Sequence, residues 1–146
     1  MQPEVEAIIK RIPEWKDADN LQVEPFAGLT NTNYLVTVNG DRFVLRVSGQ
    51  NTAQLGINRQ EEFETLSAVS QTGIGAQVVH YLLPEGHLVT KFIDGHHLTL
   101  EEYRTPENIQ RIVKAVKLLH QLPLPKAVFS PFRRVESYAR QAQSMQ

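Results

Sequence analysis

The chain has 146 residues, no cysteine, and 15 lysines and arginines against 16 aspartates and glutamates. That length can bury one real core and also matches a lobe of something larger, while the balanced charge removes a basic nucleic-acid surface and an acidic solvating tail. The missing thiols exclude disulfide scaffolds, zinc knuckles and cysteine nucleophiles; with no stretch near the roughly 18 apolar residues of a membrane span, the expectation is a soluble, untargeted, cytoplasmic chain with no membrane partner.

Val5, Ile8, Ile9 and Ile12 recur at three and four residues between Pro3 and Pro13, which predicts a short amphipathic helix. "LQVEPF" at 21 to 26 alternates, and Tyr34 to Val38 and Phe43 to Val47 are β-branched or aromatic runs flanking Asn39-Gly40, so three antiparallel strands follow. A polar loop runs from Gly49 to Gly56. Asn58 with Glu61 three residues later then predicts a capped helix through about Val69. "TGIGAQVVHYLL" and "HLVTKFI" are two further strands separated by Pro84-Glu85-Gly86. From the cap Thr105 and Pro106, the positions Ile109, Ile112, Val113, Val116 and Leu119 mark an amphipathic helix ended by Pro123 and Pro125. "FRRVESYARQAQ" reads as the start of another helix with little apolar surface of its own.

Alternation places Phe43, Leu45 and Val47 on one face of the third strand, and Val44 and Arg46 on the other. A cation two residues beyond a small apolar residue, beside the polar turn "GLTNTNY", is what a bound nucleotide requires: an apolar contact for the base, a charge for phosphate and a loop over the phosphates. The plain alternative is a surface salt bridge next to an ordinary hairpin loop. A cation used on phosphate needs positioning as well as charge. Glu62, four residues before Leu66 and seven before Val69, falls on the helix face that meets the sheet, whereas Glu61 falls at the capping position. Glu62 is therefore the expected partner of Arg46.

The segments "GLTNTNYLV", "RFVLRV", "INRQEEFETL", "TGIGAQVV", "LVTKFIDGHHLT" and "AVKLLHQL", in this order, resemble the choline/ethanolamine kinase and aminoglycoside phosphotransferase type, with bacterial choline and thiamine kinases nearest in flavour. The resemblance covers about residues 20 to 122. It implies an α+β, protein-kinase-like N-terminal lobe over residues 1–95, built on a five-stranded antiparallel sheet with one packed helix, then a hinge and the first helices of an incomplete C-terminal lobe over 96–146. It implies ATP as nucleotide, with Gly28, Leu29, Thr30, Asn31, Thr32 and Asn33 covering the phosphates and Val44 under the base. Arg46 would stand at the position of the strand-three lysine with Glu62 as its helix partner, and Phe92 to Gly95 would be the hinge where main-chain groups of Lys91 and Ile93 face adenine.

In that family a His-x-Asp-x-x-x-x-Asn loop and a further aspartate hold the base and Mg2+ in the C-terminal lobe. None of His80, His87, His96, His97 and His120 is followed two residues later by aspartate. The resemblance thus implies no catalytic residue and no metal ligand in these 146 residues, and leaves the small-molecule acceptor, choline, ethanolamine, thiamine or an aminoglycoside, to the missing lobe. The other reading is a catalytically inactive, kinase-like interaction module. Adjacent His96 and His97 point apart on an extended segment and lack a third ligand, so a metal role is not expected. The stripe within residues 105 to 122, if left uncovered, is expected to drive self-association.

Overall fold

The sheet grows outward from the Asn39-Gly40 turn, where φ is 51° and 92°. Two successive positive φ angles give the mirror-image turn whose twist matches right-handed strands, and an Asn-Gly pair tolerates them. The computed structural model describes residues 2–26, 32–49, 58–123 and 130–144. Its elements are α1 (Pro3–Ile9), β1 (Leu21–Phe26), β2 (Thr32–Val38), β3 (Asp41–Val47), α2 (Arg59–Ser70), β4 (Val78–Leu82), β5 (His87–Lys91), α3 (Leu100–Tyr103), α4 (Pro106–His120) and α5 (Pro131–Ser144). The five strands form one antiparallel sheet in the order β1-β2-β3-β5-β4. The expected α+β class and its sheet are present.

One face of the sheet is the core. Tyr34, Val36 and Val38 of β2, Phe43, Leu45 and Val47 of β3 and Val89 of β5 are buried against Val5, Ile8 and Ile9 of α1 and against Ile12 and Trp15 beyond it. The period of two along the strands and the three- and four-residue spacing along α1 both serve this one cluster. Trp15 tilts onto Phe43 with ring centroids 5.2 Å apart. Arg11 ties the same segment to the β4–β5 turn, donating to the Glu85 carboxylate at 3.0 Å and to the Leu83 carbonyl at 2.8 Å.

Beyond β5 the chain is helical. Thr99 and Glu102 form a reciprocal capping box that starts α3, and Thr105 accepts from the Asn108 N–H to start α4, with Pro106 in its first turn. The stripe of Ile109, Ile112, Val113, Val116 and Leu119 lies exposed. α5 corrects the expectation of little apolar surface: Phe132, Val135 and Tyr138, three residues apart, form an exposed apolar line along it. Among the described residues no helix is long and apolar enough to cross a membrane.

Candidate functional site

The opposite face of the sheet is half-buried and mixed in character. Two rows of cross-strand neighbours run over it: Leu35, Val44, Thr90 and Val78 in one, Asn33, Arg46, Leu88 and Tyr81 in the next. The first row offers an apolar surface, the second a cation beside it.

α2 begins where Asn58 accepts from the backbone N–H of Gln60 and Glu61 at 3.0 and 3.2 Å. That cap sets the helix phase, and the phase brings Glu62 to the sheet. Arg46 Nη2 donates to Glu62 Oε1 at 2.5 Å. The other carboxylate oxygen, Oε2, accepts from Arg59 Nη1 at 2.6 Å and from the Tyr81 hydroxyl at 2.9 Å. Phe63, the next residue of α2, stacks on the Tyr81 ring with centroids 5.1 Å apart. The expected Arg46–Glu62 pair is therefore formed, and two further donors complete it.

The electrostatics follow from this geometry. Partial burial pushes the Glu62 carboxyl up, but donation from Arg59, Arg46 and Tyr81 outweighs it and holds the group below its ordinary value, so it is ionised at neutral pH. Burial, and then the bond to Glu62, push the Tyr81 phenol up to about 12, which keeps it a donor. Two guanidinium groups share one carboxylate, so the Arg46–Glu62–Arg59 cluster is net positive, while Glu24, across from Leu35, lies on the same face. Among the described residues the buried Nε of Arg46 and the buried Nε of Arg59 have no hydrogen-bond partner. An unmet buried donor is costly unless something accepts from it.

Of the other residues singled out by the sequence, Gly28, Leu29, Thr30 and Asn31 lie outside the described residues, while Thr32 and Asn33 open β2. Val44 sits on the same face as Arg46, as its alternation requires. Lys91 needs correction in part. Its N–H donates to the Gln77 carbonyl at 2.8 Å, so that donor is committed to extending the β4–β5 ladder and is not offered to a base. Its side chain turns to the core face, with Nζ 5.8 Å from the Phe43 ring. Phe92 continues the sheet through its N–H to the Arg42 carbonyl, with its ring under the Arg42 guanidinium at 4.4 Å and edge-on to Phe26 at 6.0 Å. Ile93 is exposed. Asp94 pairs with Arg42 at 2.7 Å, which fixes the start of the expected hinge to β3.

Arg59, Tyr81 and Arg42 are the residues sequence reading did not single out. Arg59 had a signal, a cation three residues before an acid at a helix start. Among the described residues no group of three or more histidines or carboxylates could hold a metal ion; His96 Nε2 lies 3.6 Å from Glu102.

Comparison with known proteins places the chain in a family. The choline/ethanolamine kinase family matches residues 23–146, although no curated protein matches the sequence. A choline/ethanolamine kinase family protein from Mesorhizobium loti is similar at 26% identity and a TM-score of 0.67 over 94% of this chain and 45% of that one. Choline kinase LicA from Streptococcus pneumoniae shares the fold at 23% identity and a TM-score of 0.73 over 94% of this chain and 48% of its own, and LicA has also been solved in complex with AMP. An ethanolamine kinase from Plasmodium vivax aligns at 25% identity and a TM-score of 0.58 over 75% of this chain and 30% of its own. The chain thus spans about half the length, or less, of the solved structures it resembles. With the family model matched over residues 23–146 and a fold shared with these kinases, the chain belongs to the choline/ethanolamine kinase family.

Proposed function

We propose that this chain is the ATP-binding lobe of a small-molecule phosphotransferase that moves the γ-phosphate of ATP to the hydroxyl of an amino alcohol such as choline or ethanolamine. The observation that carries the reading is Arg46, held at 2.5 Å by Glu62 next to the apolar row of Leu35 and Val44. The base packs on that row, its edge meets main chain at Ile93 and at Lys91 groups other than the committed N–H, and the segment from 28 to 33, whose last two residues open β2, serves the phosphates. Arg46 meets phosphate oxygens through the planar fork that suits them. The AMP complex of a neighbour sharing the fold supports a purine nucleotide as the occupant.

Phosphoryl transfer depends on positioning and charge neutralisation, and this chain's share is to bind and orient the phosphates. The Mg2+ that such a transfer uses is expected to find its ligands outside these residues, and the part of the reading that this chain carries is the Arg46 guanidinium. Titration calorimetry tests it: ATP binds the wild-type chain, and Arg46→Met weakens it about tenfold or more with unchanged circular dichroism. Undiminished ATP affinity in that variant would overturn the assignment. The exposed stripe of α4 supports self-association through residues 105 to 122; a sedimentation mass that stays monomeric at every concentration would remove it.

A further inference from the structure

The Arg46–Glu62 pair rests on a wall that the pair itself does not supply. A carboxylate with a single partner can rotate away from it, and the cation then loses its aim. Here Oε2 is held from two directions, by Arg59 one turn earlier on α2 and by Tyr81 on β4. Both donors are braced from behind. Gly86, in the β4–β5 turn with φ 78°, lies so close that a Cβ there would meet Arg59 Cδ at 2.4 Å, Arg59 Nε at 2.8 Å and the Tyr81 hydroxyl at 2.8 Å. The turn cannot step back, because the Gly86 carbonyl accepts from Ser48 Oγ at 2.6 Å and its N–H donates to the Leu82 carbonyl at 2.8 Å.

We propose that Arg59 and Tyr81 are positioning residues which, backed by the bare backbone of Gly86, lock Glu62 Oε2 so that Oε1 aims the Arg46 guanidinium at nucleotide phosphate. The inference rests on the ATP reading above and deepens it. Arg59 at this place carries a buried Nε with no partner among the described residues, a cost that an apolar side chain of similar length would avoid. Its Nη1 bond to Glu62 is what offsets that cost. Aim matters more than attraction here, since a misplaced phosphate contact loses most of its value.

The test compares ATP with adenosine, which has the base and sugar but no phosphate, by calorimetry on the wild-type chain and on Tyr81→Phe and Arg59→Lys. The expected result is ATP affinity lowered about five- to tenfold in each variant with adenosine affinity unchanged, because a merely structural role would lower both together. Gly86→Ala should show the same selective loss. Gly73→Ala is its control: φ there is 73°, and no atom lies within 4 Å of the added Cβ, so it imposes similar backbone strain without touching Arg59. An unchanged ATP-to-adenosine ratio in Tyr81→Phe and Arg59→Lys, with wild-type ATP binding intact, overturns the positioning role and leaves the ATP reading standing. A wild-type chain that binds ATP no better than adenosine overturns both.

Discussion

The two faces of β3 are made by the same seven residues and behave as different materials. Phe43, Leu45 and Val47 are sealed under α1 and Trp15, while Val44 and Arg46, one position out of phase, stay half-exposed on the other side. On the sealed face any well-packed hydrophobe of the right volume satisfies the fold. On the open face one charge is held by a glutamate 16 residues away, itself held by an arginine and a tyrosine. The core is therefore concentrated on one side and the bonded charges on the other.

Leu45→Ala would test the sealed side hardest. Leu45 has no exposed surface, so the loss should be about 2–5 kcal/mol in urea unfolding, with ATP affinity of the folded chain unchanged. A large change in affinity would show the two faces to be coupled. On the open side, Glu62→Ala strands two guanidinium groups and should cost about 1–3 kcal/mol together with about tenfold in ATP affinity. Glu61→Ala should do neither, because Glu61 is bound to the cap through its backbone N–H; equal effects would sink the assignment of Glu62.

Acid should act at the start of β5. His87 Nδ1 accepts from the Ser48 N–H at 3.1 Å, and burial lowers its pKa from the ordinary 6.5. The unfolded chain thus takes up the proton first, so this stability is present above about pH 6.5 and is lost as pH falls through the lower folded value. His87→Phe should remove that slope from chemical-denaturation curves between pH 7 and 5; a slope that survives places the titration elsewhere. The smallest effect is expected at Glu85→Gln. Its bridge to Arg11 is solvent-exposed, and the unfolding free energy should change by less than about 1 kcal/mol.

These contrasts also explain what could be read from the sequence. Asn39-Gly40 set the β2–β3 register, and strict alternation along β3 then separated Leu45 from Arg46. The Asn58 cap fixed the phase of α2, so Glu62 could be preferred over Glu61. Tyr81 escaped because β4 breaks alternation: the register shifts between Val78 and His80, so Val78 and Tyr81 share the open face while His80 lies against Trp15. A strict period of two would have put Tyr81 with Val79, on the opposite side from Val78. Trp15 follows Pro13 in an irregular turn with no period to place it. The Arg42–Asp94 pair joins positions 52 residues apart and left no local signal. The Thr99–Glu102 box was written in the sequence, although it opens a helix of only four residues.

Trp15 is the chain's one tryptophan, and it is buried between Phe43 and His80 on the side of the sheet away from Arg46. The protein thus carries an optical gauge of its core that a ligand bound on the Arg46 side would not touch. Indole emission that stays in its apolar range throughout an ATP titration would certify that a weak-binding variant is still folded, and a red shift would mark the same variant as a packing failure.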